Sequence, residues 1–114
     1  MTLIFHIAQK NDWSPDSSLY RGDTLTTEGF IHCSIRSQLI AVANRFFAGR
    51  GDLIVLVIDE TRVVPPVVYE NLEGGDEAYP HIYGPLNVDA VVSTFSLQCG
   101  KDGSFFPPAE LAKL

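Results

Sequence analysis

No run of apolar residues in this 114-residue sequence approaches the roughly 20 that a membrane-spanning helix needs, which excludes a helical span within it. The start, Met1-Thr2-Leu3-Ile4-Phe5-His6-Ile7, has neither the basic flank nor the small-residue cleavage site of an export signal. With a histidine inside its apolar stretch, it reads as the first strand of a soluble, cytoplasmic protein. Cysteine is scarce. Cys33 and Cys99 are the only two, and without an export signal they are expected as free thiols. Positive charge is also in short supply: 8 Lys and Arg stand against 14 Asp and Glu, a net charge of -6. That balance opposes binding to nucleic acid or an anionic membrane, both of which rely on a cationic surface. Repeats and linkers are absent, and two domains would each be too short for a sizeable core, so residues 1–114 are read as one domain. No pattern fixes an oligomeric state.

What the sequence does contain is a globular balance, 46% hydrophobic and 19% charged, arranged in short periodic segments. Residues 3–8 form an apolar run closed by the polar Gln9-Lys10-Asn11-Asp12, which predicts a buried strand with His6, Ile4 and Ala8 on one face. Residues 13–20 are rich in Ser, Asp and Pro and read as loop with at most one helical turn. Residues 26–34 read as a second strand through Gly29, with Phe30, His32 and Ser34 on one face and Ile31 and Cys33 on the other. Ser34 or Ser37 is expected to cap the amphipathic helix that carries Leu39, Ile40, Val42, Ala43, Phe46 and Phe47, with Gly49 or Gly51 ending it. Residues 53–58 are an unbroken Leu, Ile and Val run, right for a central strand. Pro65 and Pro66 delay the next strand to Val67, and Glu70 ends it. An acidic loop, Glu73 to Glu77, precedes Tyr79-Pro80-His81-Ile82-Tyr83-Gly84-Pro85, read as a rigid loop because its prolines and glycine fix the backbone. Residues 88–97 should be a strand, and the tail after Pro107-Pro108 a short helical turn. The order is α+β, strands dominating after one main helix.

Histidine occurs three times, at His6, His32 and His81, each among apolar neighbours. Three polar rings at partial burial all need hydrogen-bond partners, and one shared polar pocket would supply them together. Zinc is a poor expectation: no short two-histidine spacing exists, and Cys33 is predicted to face away from His32. No metal is expected. Glu70 is the carboxylate singled out, since it closes an otherwise apolar strand, and Tyr83 is displayed beside His81.

At this point the residues carry a resemblance. Phe5-His6-Ile7-Ala8, Trp13, Gly29-Phe30-Ile31-His32-Cys33-Ser34 followed by Gln38, Tyr69-Glu70, and Pro80-His81-Ile82-Tyr83-Gly84-Pro85-Leu86 together resemble the small bacterial domain-of-unknown-function family 952, over roughly residues 4–92. That family is similar in fold to the ADP-ribosyltransferase superfamily. The resemblance implies a small split mixed sheet with one main helix and NAD in a cleft. It implies His6 as the strand-borne histidine that holds NAD, Gly29 and Phe30 in the glycine-led second strand, and Glu70 in place of a catalytic glutamate. A tyrosine expected near position 31 is replaced by Ile31. A related branch, which transfers a 2'-phosphate from RNA to NAD, grips phosphates with a histidine and arginines, a role the resemblance would give to Arg21 and to Arg36, just past the Ser34 helix start.

Three readings follow. The first is an NAD-binding or nucleotide-binding domain, an ADP-ribosyl- or glycosyl-transferring enzyme or its inactive relative. In it His6, Gly29, Phe30, Ser34, Arg36 and Tyr83 contact the cofactor, and Glu70, His32 and His81 act in catalysis. The second is a binding module for another small ligand, using His32 and His81 as hydrogen-bonding or acid-base groups. The third is a metal-dependent hydrolase built on the histidines.

Overall fold

The computed structural model describes residues 2–72 and 74–114; Met1 and Glu73, the start of the first apolar stretch and of the acidic loop, lie outside the described residues. In chain order the first half forms β1 (Leu3–Gln9), β2 (Leu19–Tyr20), α1 (Leu25–Glu28), β3 (Ile31–His32) and α2 (Leu39–Phe46). The second half forms β4 (Leu53–Asp59), β5 (Val67–Glu70), β6 (Tyr79–Ile82), β7 (Leu86–Asn87), β8 (Val91–Leu97) and α3 (Ala109–Ala112).

The unbroken apolar run of β4 lies between β1 and β8, and alternation sends its side chains into two cores. Leu53, Val55 and Val57 join Phe5, Ile7, Leu39 and Ala43 under α2. Leu56 and Ile58 join Ile4, Ala8, Ile31, Cys33 and Ile82 on the opposite face. A strand buried on both faces has no room for polar residues, which is why β4 reads as continuous hydrophobe. The second core is roofed by a smaller sheet of order β3-β6-β5 and by the two-stranded pair β2-β7. The two larger sheets are stitched where Phe5 and Ser34 exchange backbone hydrogen bonds, both 2.8 Å long. The architecture is therefore α+β, with small sheets and one main helix among the described residues. No helix of the described residues is long and apolar enough to cross a membrane.

Several sequence expectations are corrected. The segment 26–34 is not one strand: α1 ends at Gly29, whose φ of 87° lets its N–H close on the Leu25 carbonyl at 3.0 Å, and only Ile31–His32 pair as β3. Neither Ser34 nor Ser37 caps α2. The chain enters that helix through a 3-10 turn, Arg36–Gln38, where the Gln38 side chain accepts the Ile35 N–H at 3.1 Å. Neither Gly49 nor Gly51 is the residue that ends α2. Phe47 is, its N–H on the Ala43 carbonyl, and Gly49 follows with φ 81°. The Pro80-His81-Ile82 stretch is not a loop but β6, the middle strand of its sheet. A proline is tolerated there because β3 is so short: the Pro80 carbonyl takes the Cys33 N–H at 3.0 Å, and pairing ends at that point. Residues 88–97 split into a 3-10 turn, Val88–Ala90, and β8. Every strand pairing among the described residues is antiparallel, where a mixed sheet was expected.

Candidate functional site

Strand alternation places His6 with Ile4 and Ala8, facing the second core, and the ring is only 7% exposed. Its Nδ1 stands 2.6 Å from the His32 carbonyl. A carbonyl only accepts, so Nδ1 carries the hydrogen, and Nε2 accepts the Tyr20 hydroxyl hydrogen at 2.8 Å. Burial drives the imidazole pKa down to about 4 and pushes the Tyr20 phenol up. His6 is a neutral ring with both nitrogens engaged by the protein itself.

The other two histidines occupy the outer face of the β3-β6-β5 sheet. His32 and His81 are directly opposed across β3 and β6, with ring centroids 5.2 Å apart and planes at 75°. Alternation brings Phe30, two residues before His32, onto the same face, where its ring stacks on His81 at 4.1 Å. Glu70 at the end of β5 sits diagonally from His81 and accepts its Nδ1–H at 2.8 Å. The Tyr83 hydroxyl donates to the same carboxylate oxygen. These two bonds, Tyr83 first and His81 second, hold the Glu70 carboxyl below its ordinary range, and the bond to Glu70 raises the Tyr83 phenol. His81 Nδ1 is thereby fixed as the donor. Its Nε2 has no hydrogen-bond partner among the described residues. His32 is half-exposed and turns its Nε2 to Glu28 at 3.2 Å.

A cavity of about 320 Å³ opens between this face and α2. His6, His32, Ser34 and His81 line it, together with Asp23, Thr24 and Glu28 on the α1 side and Phe46, Phe47 and Tyr79 as apolar walls. Gln38 steadies the Tyr79 side by donating to the Ala78 carbonyl at 2.9 Å and to Glu77 at 3.3 Å. The three histidine segments therefore meet at one cavity. The remaining candidates are placed differently. Phe30, Glu70 and Tyr83 contact the His81 ring or its partner without lining the cavity. Gly29 closes α1. Arg36 is not free to grip a phosphate: its guanidinium donates to the backbone oxygens of Leu111 and Leu114 and lies 5.9 Å from the Phe5 ring centre, pinning the C-terminal segment.

Cys33 is buried in the second core, away from the His32 ring, and burial pushes its thiol up; Cys33 and Cys99 are both free thiols. Among the described residues no three His, Cys, Asp or Glu side chains are grouped to hold a metal ion. Sequence reasoning missed Asp23, Glu28, Phe46, Phe47 and Tyr79 as cavity residues. The four-residue spacing of Glu28 and His32 was the one available signal for Glu28. It was hidden because a strand, not a helix end and turn, was expected there.

Residues 7–94 match the family described as "Protein of unknown function (DUF952)". The chain belongs to the DUF952 family. No curated protein matches it. Crystal structures of protein CC0527 from Caulobacter crescentus, as the native sequence and as a double mutant, are each similar to this DUF952 protein at a TM-score of 0.85 and 27% identity. Each covers 97% of this chain and 99% of that one. The solution structure of CC0527 is similar at a TM-score of 0.77 and 29% identity, over 91% of both chains. The arrangement of two larger antiparallel sheets and one main helix is thus shared nearly end to end with a solved bacterial protein.

Proposed function

We propose that this DUF952 protein binds a small ligand in the 320 Å³ cavity and that His81 is the acid-base group presented to it. One observation carries this reading. Glu70, itself held by Tyr83, fixes the hydrogen on His81 Nδ1 and leaves Nε2 as the unpartnered nitrogen of a ring that lines the cavity. A carboxylate behind an imidazole sets its tautomer and its orientation, which is the arrangement used by general bases. His32 and Ser34 supply the adjacent polar contacts. The cavity is at the lower end of the roughly 300–1,000 Å³ of ligand pockets, which fits a compact molecule better than a whole dinucleotide.

The nucleotide reading of the ADP-ribosyltransferase kind has the convergence of three histidines behind it. It lacks a cationic grip: Arg36 is bonded elsewhere, no Lys or Arg lines the cavity among the described residues, and both His6 nitrogens are taken. A pyrophosphate would face Asp23 and Glu28. The ligand-binding module is therefore the stronger conclusion.

A ligand-observed magnetic resonance screen of compact fragments, with nicotinamide, ADP-ribose and NAD included, tests it. At least one compact fragment is expected to bind at millimolar concentration, with affinity falling about tenfold in Glu70→Gln and further in His81→Ala. Binding indifferent to both substitutions, or no binder in the screen, overturns the proposal.

A further inference from the structure

Most polar groups of the cavity accept hydrogen bonds. Asp23 and Glu28 are carboxylates. His81 Nε2 is an acceptor in the neutral ring, because the Glu70 carboxylate requires the hydrogen to be on Nδ1. His32 Nδ1 is an acceptor for the same reason, since Nε2 is the nitrogen turned to Glu28. The Thr24 hydroxyl gives its hydrogen to the Phe30 carbonyl at 2.8 Å. The Ser34 and Tyr79 hydroxyls are the two without an acceptor among the described residues.

Two of these groups point to a ligand independently of the acidic pair. His81 and Ser34 are each 4% exposed, and neither His81 Nε2 nor the Ser34 hydroxyl has a hydrogen-bond partner among the described residues. No side-chain nitrogen or oxygen of the described residues is both sealed from solvent and unpartnered. These two atoms therefore reach an accessible surface, and the cavity is the surface both residues line. Their missing partner is supplied by whatever fills the cavity. The remaining walls, Phe46, Phe47 and Tyr79, offer ring surface, which attracts a cation and a flat apolar body alike.

Resting on the reading of the cavity as a ligand site, we infer that its ligand is a cationic amine with a compact apolar or aromatic body. The ammonium donates toward Glu28, Asp23 and His81 Nε2, while the body rests on the phenyl walls. An ammonium supplies several donors and no acceptor, the complement of this cavity, whereas a carboxylate or phosphate brings only acceptors and negative charge. Arg36 serves the C-terminal segment, Arg50 is bonded to Asp52 at 2.8 Å, and Arg45 lies over the Phe46 ring at 4.9 Å from its centre.

Calorimetric titration with benzylamine, benzyl alcohol and benzoate separates the ammonium from the shared ring. Benzylamine is expected to bind at least about tenfold more tightly than the alcohol, with benzoate weakest. In the Asp23→Asn/Glu28→Gln double variant, whose changes lie at exposed positions, that preference should shrink to about threefold or less. Equal binding of all three, or tightest binding of benzoate, overturns the amine assignment. If that binding is still lost in His81→Ala, the ligand-site reading survives it. If none of the three binds while other fragments bind in a His81-dependent way, the amine assignment again fails alone.

Discussion

His6 and His81 are the same residue type at nearly equal burial, 7% and 4% exposed, yet one is closed and the other open. His6 belongs to the long central sheet and is completed from within the chain by the His32 carbonyl and the Tyr20 hydroxyl. His81 belongs to the small outer sheet and is completed on one side only, by Glu70. Burial alone does not tell the two rings apart; the count of satisfied nitrogens does. A ring with both nitrogens engaged is tied into the scaffold, and a ring with one free nitrogen keeps that nitrogen for whatever enters the cavity.

The largest expected effect falls on the closed ring. His6→Ala leaves the Tyr20 hydroxyl and the His32 carbonyl unpartnered around a small cavity, and should cost about 3–4 kcal/mol in urea unfolding. His32→Ala, with its ring half in water, should cost less than about 1 kcal/mol. Near-equal losses would erase the distinction between core and cavity.

Next is the pH dependence. The folded His6 pKa is lowered to about 4 from an ordinary 6.5. Between those values the unfolded chain binds a proton that the folded chain refuses, so stability is full above about 6.5 and falls with pH until about 4. The loss amounts to about 3 kcal/mol over that window. Glu70 acts in the same direction but in a lower window. Its folded carboxyl is lowered, so its contribution is present above the ordinary carboxylate range and is lost only as pH falls through the depressed folded value. Chemical denaturation of the native protein and His6→Ala between pH 7 and pH 4 isolates the first effect, and the variant's curve should be flatter by that amount.

Tyr20→Phe removes only the hydroxyl that closes His6 Nε2. A loss of about 1–2 kcal/mol in the same assay is expected. The smallest stability effect belongs to the open ring's partner: Glu70→Gln should stay within about 1 kcal/mol while weakening a cavity ligand about tenfold. A variant that loses stability more than affinity would place Glu70 with the scaffold.

Parts of this comparison were legible in the sequence. Alternation in residues 3–8 gave the face of His6, and the same rule put Phe30 and His32 together. The β4 run and the spacing of α2 also declared themselves, because long periodic segments reflect burial directly. Tyr20 as the partner of His6 was not legible: it lies in a Ser- and Asp-rich stretch whose strand is two residues long and gains its place only by pairing with Leu86. Gly29 was ambiguous in kind, since a glycine fits a strand bend and a helix end equally, and only the fold showed the helix end. The Pro80 strand was hidden by the very rule that makes prolines loop markers. Glu28 lies in the segment expected as strand, and Asp23 in a stretch without periodicity, so the acidic side of the site was out of reach.

Long-range ¹H–¹⁵N spectra of the imidazoles distinguish a closed His6 from an open His81. In the free protein, His6 is predicted to keep a neutral ring with its hydrogen on Nδ1 from pH 7 down to about 4. On addition of benzylamine the His81 Nε2 resonance should move while both His6 nitrogens stay fixed. A His6 ring that protonates near its ordinary 6.5, or that responds to the ligand while His81 does not, would contradict the account.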